Sequence, residues 1–319
     1  MGNNKKISLI VPCYNEEDVL HEFHRVTTRV LLDEIKTDSY EILFVNDGSK
    51  DATYDILVEL SKKDKNVHYL SFSRNFGKES AMYAGLQHAE GDYTVIMDAD
   101  LQHPPEVLIE MYREMQTGKY DMIATRRKNR DTDTKLRAFL SQTFYKIMNK
   151  ISGIDMGNNA LDYRMFNKKA KEAILSMAEY NRFSKGIFEW IGFRTHWLEI
   201  DIADRVAGNS KWSFKSLVLY SMEGCIAFST MPLAISSILG LLFCVIAICI
   251  IVVMIIQSLI YGIEGSGYAT TICTILLVGG VQLFCIGILG QYLAKAYLEI
   301  KNRPKYLLLE SSKEQEVEE

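Results

Sequence analysis

Cysteine is sparse and unpatterned in this chain. The six residues, Cys13, Cys225, Cys244, Cys249, Cys273 and Cys285, form no CxxC pair, and all but Cys13 lie in charge-free stretches. That argues against a disulfide framework or a cysteine metal site and in favour of small buried hydrophobes. No long apolar run follows the basic pair of MGNNKKISLIVP, so no cleaved signal peptide is expected and the polar part of the chain should stay in the cytoplasm. There is no internal repeat and no low-complexity linker. The most telling absence is of charge. No Asp, Glu, Lys or Arg occurs from Gly224 to Ile263, or from Gly265 to Ala294, in a chain that is 24% charged as a whole. Most of the charge therefore sits in the first 223 residues, the pattern of a soluble domain joined to a membrane anchor.

At 319 residues and 48% hydrophobic composition, the chain can bury a full-sized core, and neither disorder nor complete membrane embedding fits the average. The formal net charge of −4 is uneven. Tyr306 to Glu319 holds five Glu and one Lys, and its tail SSKEQEVEE reads as a solvated, disordered end. Arg126 to Lys150 holds eight basic residues against Asp131 and Asp133, a block that would seek phosphate on a nucleotide, a nucleic acid or a lipid head. No recognised nucleic-acid-binding module accompanies it, and no nucleic-acid partner is expected.

Strand-like runs at Ile7–Val11, Ile42–Val45, Val67–Phe72, Tyr93–Met97 and Tyr120–Ala124 alternate with segments of helical spacing. This is the signature of βαβ units and a mainly parallel sheet, in which ligands bind beyond the carboxyl ends of the strands. From Thr134 to Ser152, Leu136, Phe139, Leu140, Phe144, Ile147, Met148 and Ile151 fall on one helical stripe. Such a basic amphipathic helix can lie on a membrane surface or pack on its own sheet. The apolar run Leu233–Tyr261 would span about 45 Å as a helix, ample for a hydrocarbon core of about 30 Å. Tyr268 to Tyr292 is a second span, joined to the first by GIEGSG. Lys211 and Lys215 precede the pair and Lys295, Lys301, Arg303 and Lys305 follow it, while the connecting loop has no Lys or Arg. The positive-inside rule then places both termini in the cytoplasm.

The chemistry-bearing residues cluster where strands end. MDADLQHPPE delivers Asp98 and Asp100, two carboxylates at i and i+2, from an apolar strand into a turn. Such a pair can share Mg²⁺ or Mn²⁺ bridging a substrate diphosphate, with Gln102 adding an oxygen or touching a sugar. The first strand runs into VPCYNEE, offering Pro12, Tyr14, Asn15 and Glu16. The second runs into VNDGSKD, where Asp47 can bond a base or ribose or simply serve turn and cap chemistry. After the third, Arg74, Asn75, Gly77 and Lys78 open a helix in the manner of an anion site, though capping alone would explain Asn75.

VPCYNEE, VNDGS, SRNFGKESAMYAGL and DADLQHPPE, in this order and spacing, resemble glycosyltransferase family 2, with its α/β GT-A domain, a Rossmann-like, mainly parallel sheet. More narrowly they resemble the polyprenyl-phosphate glycosyltransferases, which include dolichol-phosphate mannose synthase and the bactoprenol glucosyltransferases. ALDYRMFNKKA is similar to the segment that supplies the family's acceptor-side aspartate, here Asp162, followed by Arg164. RVAGNSKW is similar to the family's RxxGxSK element, here Arg205 and Lys211, which contacts phosphates. No QxxRW string of the processive synthases occurs, which implies transfer of one sugar rather than polymerisation. The resemblance implies a catalytic domain at 1–210, an interfacial amphipathic helix at 211–230, two transmembrane helices within 231–296 (about 232–261 and 268–293), and a cytoplasmic tail at 297–319.

It further implies a UDP- or GDP-sugar donor, a polyprenyl phosphate acceptor and inverting displacement at the anomeric carbon. Asp98 and Asp100 would hold the metal, Arg205 and Lys211 would supplement it, and Arg126, Arg127, Arg137 and Arg164 are the candidates for gripping the acceptor phosphate. Asp162 would orient acceptor or sugar, or act as a base. The two-span hairpin leans towards the glucosyl branch and a UDP-glucose donor, with UDP-N-acetylglucosamine and GDP-mannose as alternatives. A flippase, a downstream glycosyltransferase and further copies of the chain are possible partners. A non-catalytic nucleotide-sugar-binding protein that recruits a flippase is the alternative from another class.

Overall fold

The computed structural model describes residues 5–128, 160–177, 179–201, 231–261 and 267–315. Arg137, Arg205, Lys211, the amphipathic stripe at 134–152 and the expected interfacial helix at 211–230 lie outside them. Two compact units divide the chain, Met1–Leu217 with Arg303–Glu319, and Val218–Asn302.

In the first unit the order is β1 (Ile7–Cys13), α1 (Leu20–Arg29), β2 (Tyr40–Asn46), α2 (Thr53–Lys63), β3 (Val67–Phe72), α3 (Lys78–His88), β4 (Tyr93–Ile96), α4 (Val107–Gln116) and β5 (Met122–Arg127). There follow β6 (Ala160–Asn167), α5 (Lys168–Ser176), α6 (Ser184–Trp190) and β7 (Thr195–Ile200), then, late in the chain, β8 (Leu308–Ser311) and the short α9 (Ser312–Gln315). The strands form one eight-stranded mixed sheet in the order β7-β5-β6-β4-β1-β2-β3-β8. Strand β1 is parallel to β2 and β4, and β2 to β3, while β6 runs antiparallel to both β4 and β5.

The central strands are buried on both faces, as continuous apolar runs require: β2 is buried along its whole length and β1 everywhere but Pro12. Helix α3 can approach because Gly85 faces β1; a Cβ there would stand 2.2 Å from Ile10 Cγ2. That close packing sets the first residue of α3, Lys78, at the carboxyl edge of the sheet. The antiparallel register pairs Tyr93 with Asn167 and Ile96 with Arg164. Continued two residues further, it sets Asp98 opposite Asp162.

Ser311 to Lys313, the described start of the charged tail, depart from the expectation of a solvated end. Leu308–Ser311 pairs antiparallel with β3, Leu70 against Ser311 and Ser71 against Glu310. Glu310 takes hydrogen bonds from the phenols of Tyr54 and Tyr69, and Lys313 bonds Glu41, Glu90 and the His88 carbonyl. The strand covers an edge that would otherwise expose unpaired backbone groups.

The second unit holds α7 (Met231–Tyr261) and α8 (Tyr268–Ile300). Their segments Met231–Gln257 and Leu277–Ile300 have mean hydropathy 3.5 and 1.7, and both are long and apolar enough to cross a membrane. The second helix continues seven residues beyond the expected end near 293.

Candidate active site

Three loops converge at the carboxyl ends of β1, β2 and β3. Beyond β1, Asn15 takes a left-handed backbone (φ 55), and its N–H donates to Ser49 Oγ at 3.0 Å while its Oδ1 accepts from the Lys50 N–H at 2.8 Å. The Glu16 N–H donates to Thr53 Oγ1 at 2.9 Å. The first and second loops are thus stitched together, with Asn15 serving as a brace and Pro12, Tyr14 and Glu16 half-buried beside it. Asp47 faces the third loop. It is 4% exposed and accepts from the backbone N–H groups of Phe76 at 2.6 Å and Gly77 at 2.9 Å. Burial pushes its carboxyl above the ordinary range, with those two N–H groups and Arg74 opposing. Gly48 (φ 65) permits this approach, since a Cβ there would meet the Arg74 carbonyl carbon at 2.4 Å and the Asn75 nitrogen at 2.7 Å. Asn75 is exposed.

Lys78 binds the central acids. Its ammonium lies 2.6 and 2.9 Å from the two oxygens of Asp98 and 3.0 Å from Asp162 Oδ2. Desolvation works against the charge on Lys78, but Asp162 and Asp98 outweigh it and raise its pKa. Asp162 moves the other way: burial would raise it, yet Lys78 and then Lys185 hold it well below the usual carboxylate range. Both groups are therefore charged near neutral pH. Asp100 closes an Asx turn with the Gln102 N–H at 3.1 Å, and Leu101 between them sits at φ 55. A left-handed backbone at a leucine is strained, and it is the kind of local cost that concentrates at functional turns.

Asp98, Asp100 and Gln102 thus share one turn, with Lys78 joining Asp98 to Asp162. The donor set is of hard oxygens, and among the described residues no group of three His, Cys, Asp or Glu could hold a metal by itself. A hard divalent cation held by one or two carboxylates and completed by substrate phosphates fits such a turn.

Other expected residues stand elsewhere. Arg126 is exposed and paired with Glu199 at 2.6 Å, and Arg127 is half-buried beyond it at the end of β5. Arg164 corrects the expectation of a phosphate grip. Its side chain is fully buried, bonded to Glu189 at 2.8 Å and to the Leu161 carbonyl at 3.1 Å, and its guanidinium lies over Phe188 and Trp197. An ion so enclosed serves the packing of β6 on α6.

Sequence reasoning passed over three residues beside the site. Lys185, in the first turn of α6, contributes to the Asp162 field. Glu79 accepts from the Ser184 N–H and hydroxyl and ties α3 to α6. His103 is buried and stacks on Tyr163 with ring centroids 5.6 Å apart. His103 lies within LQHPPE and Glu79 within SRNFGKESAMYAGL, whereas Lys185 carried no signal.

Residues 8–175 match the profile described as Glycosyl transferase family 2. The chain belongs to glycosyl transferase family 2. This glycosyltransferase is 42% identical over 306 residues to the SfII prophage-derived bactoprenol glucosyl transferase of Shigella flexneri, covering 96% of this chain and 98% of that one. It is 41% identical to the prophage bactoprenol glucosyl transferase homolog of Escherichia coli K12, over 95% of this chain and 98% of the relative. Among solved structures, glucosyl-3-phosphoglycerate synthase from Mycobacterium tuberculosis superposes with a TM-score of 0.47 at 17% identity, covering 70% of this chain and 78% of that one. The mixed sheet, with its acids on the turn after β4, is the GT-A-like architecture that the motifs implied.

Proposed function

We propose that this glycosyltransferase moves a single sugar, with UDP-glucose as the first choice of donor, onto a polyprenyl phosphate at the cytoplasmic membrane face. The observation that carries the reading is the juxtaposition of Asp98, on the donor turn, with Asp162, on the antiparallel strand, around one ammonium. Similarity along nearly the whole chain to proteins named bactoprenol glucosyl transferases supports the acceptor class and the sugar. Two helices long and apolar enough to cross a membrane support a site that works where a prenyl chain is anchored.

In this reading Asp98 and Asp100 would hold Mg²⁺ or Mn²⁺, which supplies charge neutralisation on the leaving diphosphate. Asp47 and the loops around it receive the nucleotide. An oxygen of the acceptor phosphate bonds to the anomeric carbon as the bond from that carbon to the diphosphate breaks, and the nucleoside diphosphate leaves with the electron pair, inverting the centre. The attacking oxygen is already anionic near neutral pH, so no proton need be removed. Asp162, held ionised by Lys78, therefore orients the acceptor or the sugar. Arg205 and Lys211 supplement the phosphate contacts, with Arg126, Arg127 and Arg137 towards the acceptor.

The test is transfer by purified protein in detergent, with undecaprenyl phosphate, Mg²⁺ or Mn²⁺ and a panel of UDP- and GDP-sugars, following lipid-linked product and released nucleotide. One donor giving a lipid-linked monosaccharide, lost in Asp100→Ala, is expected. Nucleotide binding without transfer from any donor would replace the enzyme reading with that of a nucleotide-sugar-binding partner of a flippase.

A further inference from the structure

The segment that follows α8 reaches the last turn of α3 and the loop that precedes that helix. Tyr306 stacks on Phe72, the last residue of β3, with centroids 5.0 Å apart and planes at 18°. Its hydroxyl donates to Gln87 Oε1 at 2.9 Å, at the far end of α3. One residue on, the Leu307 carbonyl accepts from the Ser73 N–H at 3.0 Å, so backbone pairing continues into the loop that precedes α3. Phe72 in turn meets Phe76 edge-on, centroids 5.7 Å apart, and the N–H groups of Phe76 and Gly77 are the ones Asp47 accepts. Lys78 comes next, on Asp98 and Asp162.

We propose that Tyr306 is a positioning residue of the transfer site. Its ring fixes Phe72 and Phe76, which hold the Phe76–Gly77 backbone on Asp47 and so set where Lys78 stands between Asp98 and Asp162. Aromatic pairs of this geometry add to the area they bury and prefer defined angles, so the chain Tyr306–Phe72–Phe76 transmits position as well as stability. The proposal rests on Asp47, Lys78 and Asp98 being donor-side residues. It adds that a residue beyond both long apolar helices, about 200 positions from Asp98 in sequence, completes that side of the site.

The test compares the full-length protein in detergent with Tyr306→Ala, Tyr306→Phe, Phe76→Ala and the Tyr306→Ala/Phe76→Ala double variant. Two readouts are taken: hydrogen exchange at the Phe76 and Gly77 amides without nucleotide, and affinity for UDP with Mn²⁺. Tyr306→Ala and Phe76→Ala should each speed exchange at those amides and weaken UDP by about five- to tenfold, and the double variant should be little worse than either, because the two rings act in one chain. Tyr306→Phe, which keeps the stack, should stay within about twofold of the parent. Unchanged amide protection in Tyr306→Ala overturns the proposal, even if the parent protein binds no UDP; that latter result would count against the donor reading alone. Losses that multiply in the double variant, or that appear equally in Tyr306→Phe, overturn it as well. Should Tyr306→Ala fail to fold, Tyr306→Leu replaces it under the same criteria.

Discussion

At the amino ends of β1, β2 and β4, Glu41 and Glu90 meet Lys6 and Lys313; at the carboxyl side of the same sheet, Asp98 and Asp162 meet Lys78. The ingredients are alike and the arrangements are not. Glu41 is 1% exposed and accepts from Ser8 Oγ, the Glu90 N–H and Lys313 Nζ, with Lys6 3.6 Å away. Two ammonium groups answer two carboxylates there. At the other end one ammonium spans two carboxylates, and the side chains of Lys78, Asp98 and Asp162 are 42%, 28% and 19% exposed. Glu41, buried and held by three donors, has nothing left to offer a ligand. A shared, accessible cluster can exchange partners, which a transfer reaction requires.

The largest effect that could break this contrast is on activity at the carboxyl end. Asp98→Asn keeps the shape of the turn and removes the charge on which Lys78 rests. Transfer should fall by on the order of 10³, as when a group that stabilises developing charge is lost, with the unfolding midpoint nearly unchanged. Activity within tenfold of the parent would make this cluster structural too.

The converse experiment acts at the amino end. Glu41→Gln removes the buried carboxylate and leaves Glu90, at 3.0 Å, as the carboxylate partner of Lys313. Losing a buried hydrogen-bonded charge of this kind costs about 1–3 kcal/mol, read as a lower denaturation midpoint, while the turnover number should hold within about twofold. Loss of turnover at full stability would erase the distinction between the two ends. Lys313→Met should reproduce the stability loss, and combining the two should cost less than the sum, since they remove the same pair.

The contrast also marks what the sequence could disclose. Strand β3 falls where the apolar run placed it, β1 and β2 extend past their runs by up to two residues at an end, β4 stops one residue short, and β5 begins two residues later than its run. The parallel core was legible because buried strands are apolar throughout, and the acids were legible because they interrupt it at strand ends. Strand β8 was not. LLLE is too short a run to distinguish from its charged surroundings, and its partner β3 lies well over 200 residues earlier. Arg164 was misread because an arginine after an acidic motif suggests phosphate, while the residue that decides its role, Glu189, sits on a different element. The bridge from Lys78 to Asp162 was likewise hidden, because it depends on the antiparallel register of β6 against β4, which local pattern does not encode.

The smallest expected effect separates the exposed rim of the amino-end cluster from its buried centre. Hydrogen bonds from Lys6 and then Lys313 hold the Glu90 carboxyl down to about 2. A carboxyl depressed in the folded state contributes stability that is present above its unfolded value, about 4.3, and is lost as pH falls towards the folded value. The unfolding midpoint of the parent protein should therefore drop between about pH 4.5 and pH 2, and Glu90→Gln should flatten part of that slope. Glu90 is 61% exposed, so its share is screened by solvent and should shrink further at about 1 M salt, where the screening length is near 3 Å. Glu41 is also held below its ordinary range: burial would raise it, but Lys313, Ser8 and the Glu90 N–H outweigh that. Being enclosed, it should keep its contribution at high salt. An acid slope that survives salt in Glu90→Gln but disappears in Glu41→Gln would assign the structural role to the buried carboxylate; equal sensitivity to salt in both variants would mean that the amino-end cluster is no better shielded than the one at the carboxyl end.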